Sequence, residues 1–252
     1  MLDPHQCPHE SRNGAATKSI LILVSLFSVI GVWIVFAARD TRESARRSTC
    51  MGHFCQLNLA MHCYHDVHGT LPPAHVADEN GTPVHSWRVL LLPFMDGNDL
   101  YKQYDFDEPW NGPNNRRLAS SMPEIFRCPS YCPEDDQSFH TNYVVAVGAE
   151  TAFPGSRSVR LAEITDDTSK TIMLAETCNA NIHWMEPRDL NLDTMVFEIN
   201  SNAEEGISSM HHDSANVIRV NGHYRPPLMT GTAKATVRAL LTIGGNETVG
   251  YY

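Results

Sequence analysis

The sequence has no surplus of basic charge: 19 Lys and Arg stand against 29 Asp and Glu, a formal net charge of −10 with histidine neutral. Nucleic-acid binders carry a basic face, so nucleic acid is excluded as a partner. Charged residues are also scarce, at 19% against 42% apolar, too few for a disordered chain and enough apolar material for a core. No G-x-S-x-G, P-loop, G-x-G-x-x-G or H-E-x-x-H occurs, and no carboxylate pair can be set across a cleft from sequence alone. The chain therefore reads as a protein without catalysis, and neither a metal nor a cofactor is expected. There is no internal repeat and no long Gly/Ser-rich or Pro-rich linker, so the 252 residues read as one globular domain with an N-terminal segment.

That segment holds the longest apolar run, Ser19 to Ala38, 20 residues without a charge. At about 1.5 Å per residue such a helix crosses a hydrocarbon core about 30 Å thick. The run exceeds the h-region of a signal peptide and no A-x-A-like cleavage site accompanies it, which predicts a retained anchor. The predicted organisation is residues 1–18 as a cytoplasmic segment or degenerate leader, 19–38 as the transmembrane helix, and 39–252 as an extracytoplasmic domain. From Ser48 onward that domain holds 13 basic and 25 acidic residues. Orientation is contested within the sequence. Arg12 and Lys18 precede the span and Arg39, Arg42, Arg46 and Arg47 follow it, which by the positive-inside rule alone would leave the domain in the cytoplasm.

Proline is absent from Ser19 to Asp66, so the membrane helix is expected to continue to about residue 68 and to stop near Gly69, ahead of Pro72-Pro73. Cys50, Phe54, Leu57, Met61 and Tyr64 alternate at spacings of four and three, one apolar stripe that must lie against something. Beyond it, Ser86 to Leu92 is a short buried run closed by Pro93, Asn98 to Tyr104 a short helix, and Thr141 to Val147 and Thr171 to Ala175 are buried strands. Ala215 to Val220, then Asn221-Gly222, then His223 to Arg225 read as a hairpin with a type I′ turn, and Thr232 to Leu241 as a last helix. The class is α+β, with a long helix packed on an antiparallel sheet.

Six of the seven cysteines follow the span: Cys50, Cys55, Cys63, Cys128, Cys132 and Cys178. An even number suits bridges, and buried free thiols are the alternative. Cys128 and Cys132 form a C-x3-C without a second pair, which does not make a zinc knuckle. His62, His65 and His68 share one side of a helix beside Asp66, and a packing or hydrogen-bonding role is the simpler account. The carboxylates at Asp96, Asp99, Asp105, Asp107, Glu108, Asp135, Asp136, Asp166 and Asp167 do not follow EF-hand spacing and read as solvated loops.

Arg46-Arg47 with Cys50, then Leu59-Ala60, His62, Tyr64-His65-Asp66, Gly69 and Pro72-Pro73 resemble the opening of the bacterial domain-of-unknown-function family 1559. Later blocks are similar to the same family, among them Ser86 to Pro93, Asp107-Glu108-Pro109-Trp110, Arg127-Cys128-Pro129-Ser130 and Trp184 to Asp189. So is a C-terminal H-x9-D-G motif, matched by His211, nine residues, and Asn221-Gly222. The resemblance implies a pilin-like or pseudopilin-like protein of the inner membrane with an outward α+β head. Its partners would be the membrane and, by self-association, further copies or other pilin-like subunits. The family's leader, with a glutamate five residues into the mature chain, is replaced here by Asn13-Gly14-Ala15-Ala16-Thr17-Lys18. The resemblance also implies that Cys50 on the helix lies against Cys128 on the head, a candidate disulfide. Cys55 and Cys132, both extra to the family pattern, form a lesser candidate pair, because Cys55 lies about 140° around the helix from Cys50. A different class, an extracytoplasmic solute- or carbohydrate-binding module, follows from the family's grouping with solute-binding proteins. In that reading Trp87, Trp110 and Trp184, with Tyr104 and Tyr143, line a ligand cleft.

Overall fold

A computed structural model of the chain describes residues 12–131, 139–223 and 226–245. The first helix, α1, runs Arg12–His68, 57 residues without interruption. It ends where expected: Gly69 adopts φ +73°, the left-handed cap that a side chain resists, and its N–H donates to His65 O at 2.7 Å. The chain divides into two compact units, Met1–Ala45 and Arg46–Tyr252.

In the first unit, the apolar side chains from Leu21 to Phe36 are exposed all around the helix, and the helix is long and apolar enough to cross a membrane. Its hydroxyls turn back onto its own backbone: Ser25 donates to Ile22 O, Ser28 to Val24 O and Thr41 to Ala37 O. That leaves no side-chain hydroxyl among these three in need of water, as a lipid environment requires.

The second unit opens with the rest of α1, whose stripe Cys50, Phe54, Leu57 and Met61 is fully buried, with Tyr64 half-buried at its end. Among the described residues, eleven short strands and three short α-helices follow. The strands are β1 His75–Ala77, β2 Pro83–Ser86, β3 His140–Thr141, β4 Tyr143–Val144, β5 Ala146–Val147, β6 Ile172–Glu176, β7 Ile182–His183, β8 Leu190–Asn191, β9 Ser214–Ala215, β10 Val217–Arg219 and β11 Leu228–Met229; the helices are α2 Trp87–Leu90, α3 Asn98–Gln103 and α4 Lys234–Ala239. The fold class is α+β. Among the described residues the expected single sheet is replaced by five small ones: an antiparallel β10-β6-β4, the antiparallel pairs β1-β2, β3-β7 and β11-β9, and a parallel pair, β5-β8. Central strand β6 is buried along its whole length. On the flanking strands β4 and β10 successive residues face two different apolar cores, Tyr143 and Ile218 joining the one beneath α1, Val144 and Val217 joining the one that contains Val237 and Leu240 near α4.

Two expectations are corrected in detail. Thr141 to Val147 is not one strand but three two-residue pieces, because their partners differ: β3 pairs with β7, β4 with β6, β5 with β8. Asn221-Gly222 does not form a two-residue hairpin loop. Gly222 N donates to Arg219 O at 2.9 Å, so the turn spans 219–222 with Gly222 at its last position; of the return strand expected at His223 to Arg225, Tyr224 and Arg225 lie outside the described residues, and the next strand, β11, pairs with β9. Gly222 is required there twice over. Its φ is +71°, and a Cβ would sit 2.7 Å from Asn58 Oδ1 on α1. Asn58 Nδ2 donates to Arg219 O at 3.2 Å and His62 Nε2 to Val220 O at 2.7 Å, tying α1 to the end of β10. His62 is thereby a structural histidine, as its place in the sequence suggested.

Beneath α2 lies a buried ion pair. Arg88 Nη2 and Asp189 Oδ1 are 2.6 Å apart with both side chains almost wholly inaccessible. Arg88 also donates through Nε and Nη2 to Tyr143 O and through Nη1 to Ser86 Oγ, while Asp189 accepts from Trp87 Nε1 and Val145 N. Burial pushes the Asp189 carboxyl up to about 6 against the pull of Arg88.

Candidate functional site

Four side chains from four parts of the second unit converge within its core. Cys50 comes from α1, Cys128 from the turn after Phe126, Glu176 from the end of β6, and His211 from the loop before β9. The helical stripe points Cys50 inward. The strand places Glu176 at the close of an apolar run whose partners, Tyr143 opposite Glu176 on β4 and Val217 opposite Ala175 on β10, fix its register. One potential ligand atom from each residue lies within 4.8 Å of the other three, and all four residues are buried. Cys50 Sγ is 3.5 Å from Glu176 Oε1, Cys128 Sγ is 3.5 Å from His211 Nε2, and His211 Nε2 is 3.9 Å from Glu176 Oε1.

An outer ring of donors holds the cluster. Tyr143 Oη donates to Cys50 Sγ at 3.3 Å and Asn216 Nδ2 to the same sulfur at 3.4 Å. Ser209 Oγ and Asn216 N donate to Glu176 Oε2 at 2.8 and 3.3 Å, which leaves Oε1 facing the sulfurs. Hydrogen bonds from Cys128, His211, Tyr143 and Asn216 lower the Cys50 thiol to about 4 despite its burial, whereas hydrogen bonding to Cys50 and burial push Cys128 up. Burial raises the Glu176 carboxyl to about 8. The site thus favours one thiolate and holds a carboxyl whose charge has no exposed solvent to screen it.

Beside the cluster a cavity of about 530 Å³ opens between α1 and the loops around Met122 and Cys128; Thr49, His53, Glu124, Arg127 and Tyr131 are among its walls. His53 Nδ1 donates to Arg127 O at 3.1 Å and neighbours the Tyr143 hydroxyl at 3.3 Å, joining the cavity wall to the ring around Cys50. The buried Arg127 Nε has no hydrogen-bond partner among the described residues.

The sequence-derived candidates fall out unevenly. Cys50 and Cys128 are brought together, but as free thiols and not as a bridge. Cys55 is exposed and free, and Cys132 lies outside the described residues. His211 enters the cluster, while Asn221 and Gly222 belong to the turn over Asn58. The tryptophan cleft is corrected: Trp87 and Trp184 are fully buried core residues, their indole N–H groups donating to Asp189 and to Ala119 O, and Trp110 packs against His183 at 5.1 Å between ring centroids. None of the three lines the cavity. Sequence reasoning missed Glu176. The available signal was a carboxylate ending the buried run Thr171 to Ala175, where an ionisable side chain needs a partner.

No curated protein and no solved structure matches the chain. Residues 39–157 match the model of the family named SBP_bac_10 and described as a protein of unknown function, DUF1559, and over that stretch the chain is similar to that family.

Proposed function

We propose that the protein is a single-pass, pilin-like protein of the inner membrane, its residues 19–38 the anchor and its second unit an extracytoplasmic head with a structural or interaction role and no catalysis of its own. The observation that carries the reading is the contrast along α1: residues 21–36 expose apolar side chains on every face, whereas the stripe from Cys50 to Met61 is wholly covered by the head. A helix that is apolar all round belongs in lipid or among like helices, and association there rests on close packing with other copies or other pilin-like subunits. The family match over residues 39–157 supports the same assignment. Sidedness is tested with an impermeant thiol reagent on intact spheroplasts, reading Cys55, which is exposed. Labelling before lysis is expected. Labelling only after lysis would place the head in the cytoplasm, as the arginines after the span would have it.

A tethered solute-binding module is the second reading, favoured by the cavity at His53 and Arg127, whose volume falls in the range of small-molecule sites. Solute-dependent thermal stabilisation of the full chain in detergent, lost in Arg127→Ala, would support it. Unchanged melting across sugars and peptides would remove it.

A further inference from the structure

We propose that Cys50, Cys128, Glu176 and His211 form a structural site for one soft divalent cation, zinc in the first place. The argument is geometric. Tetrahedral zinc with bonds of about 2.3 Å to sulfur and about 2.0 to 2.2 Å to nitrogen and oxygen requires ligand–ligand edges of roughly 3.6 Å for sulfur with oxygen or nitrogen, and roughly 3.4 Å for nitrogen with oxygen. The corresponding distances here are 3.5, 3.5 and 3.9 Å. All four atoms lie within 4.8 Å of one another, near enough to close on a metal with shifts of about half an ångström per atom or less.

The donor set is chemically selective. Two sulfurs, an imidazole and a single carboxylate oxygen suit zinc, and do not suit calcium or magnesium, which take oxygen ligands. Four protein ligands leave no open position, the pattern of a structural site and not of a catalytic one. The outer ring already does what such sites need. Ser209 and Asn216 hold the second carboxylate oxygen, and Tyr143 and Asn216 direct hydrogen bonds at the Cys50 sulfur. Burial sharpens the point: a carboxylate and two sulfurs without water are costly together, and a dication compensates them. In the bound state both sulfurs are thiolates, Glu176 is a carboxylate and His211 a neutral imidazole, and whatever protons these four groups carried leave to solvent. The site would clamp α1 to β6 and to two loops, joining residues as far apart in the chain as Cys50 and His211.

The test uses the full chain in detergent, prepared with free thiols blocked in one aliquot at lysis and with a non-chelating reductant in another. Elemental analysis of the reduced protein is expected to give one zinc per chain. Replacement by cobalt is expected to produce the visible bands of a tetrahedral ion and a thiolate charge-transfer band, which should fall to about half in Cys128→Ser, where one of two thiolates is gone. Glu176→Gln is the variant that disturbs packing least; it should retain the helical circular dichroism and bind the metal more weakly. The proposal is overturned by wild-type protein that takes up no zinc or cobalt, by octahedral cobalt spectra, or by a Cys50–Cys128 disulfide in the aliquot blocked at lysis.

Discussion

Asp189→Asn is predicted to cost about 3 to 5 kcal/mol, the range for breaking a buried ion pair by removing one partner. The carboxylate accepts four hydrogen bonds: from Arg88 Nη2 at 2.6 Å and Val145 N at 3.0 Å on Oδ1, and from Trp87 Nε1 at 3.1 Å and Arg88 Nη1 at 3.4 Å on Oδ2. An amide is nearly isosteric but turns one oxygen into a donor, so either Trp87 and Arg88 Nη1, or Val145 and Arg88 Nη2, face an N–H. The guanidinium keeps its bonds to Tyr143 O and Ser86 Oγ but loses its counter-charge in a fully buried place. Folding already disfavours the Asp189 charge, since burial moves its carboxyl from 3.8 to about 6, roughly 3 kcal/mol. The pair is therefore not a net source of stability, and removing both charges in Arg88→Met/Asp189→Leu should cost less than Asp189→Asn alone. Denaturant melts of the full chain in detergent, followed by tryptophan fluorescence, measure both, with Trp87 bonded to Asp189 itself as a local reporter. A loss below about 1 kcal/mol in Asp189→Asn, or a double variant less stable than the single, would refute the reasoning.

Three further outcomes are expected. Gly222→Ala should lower stability by about 1 to 3 kcal/mol, from the positive φ and the 2.7 Å approach to Asn58 Oδ1, and Asn58→Ala should relieve part of that loss, as a thermal double-mutant cycle would show. Phe54→Ala, which empties a fully buried position on the α1 stripe against Tyr143, should cost about 3 to 5 kcal/mol in the same assay; an effect no larger than that of exposed Leu59→Ala would contradict the packing. His183 is held neutral, its pKa lowered to about 4 chiefly by burial, and its Nδ1 accepts from Met185 N at 3.2 Å. The unfolded chain therefore takes up this proton first as pH falls, and the wild type should lose stability relative to His183→Asn between about pH 6.5 and 4, on the order of 1 to 2 kcal/mol after solvent screening; parallel melting curves across that window would exclude the mechanism.

The long helix was legible because its signals are local. An uncharged run, an unbroken stretch without proline, a stripe at helical spacing and a closing glycine each act within a turn or two of chain, and α1, its buried face and its end at His68 all follow. The short helix at residues 98–103 and the last helix were legible for the same reason. The strands were legible as buried segments but not as a sheet. Pairs such as β4 with β6 or β5 with β8 join residues far apart, and two-residue strands carry too little alternation to declare a partner. At the turn after β10, Asn-Gly has the chemistry of a hairpin loop, yet the close approach of Asn58 on α1 gives the glycine another use.

The cluster was half legible. Cys50 and Cys128 could be paired from the family resemblance, and His211 stood out as part of a motif, but nothing in sequence spacing ties Glu176 to them. Its role emerges only when β6 carries it beneath the helix. The tryptophans misled because large aromatic residues serve cores and clefts alike. Here Trp87 and Trp184 fill the core, each with its N–H satisfied internally.

The central claim is that residues 19–38 are a retained membrane anchor. The most direct measurement is alkaline carbonate extraction of membranes containing the full chain, with the intact mass of the protein recovered from pellet and supernatant. The account predicts a chain that stays in the pellet and still includes residues 19–38. A soluble chain beginning after residue 38 would contradict it, showing that the apolar run is a cleaved export signal and that the head acts without a tether.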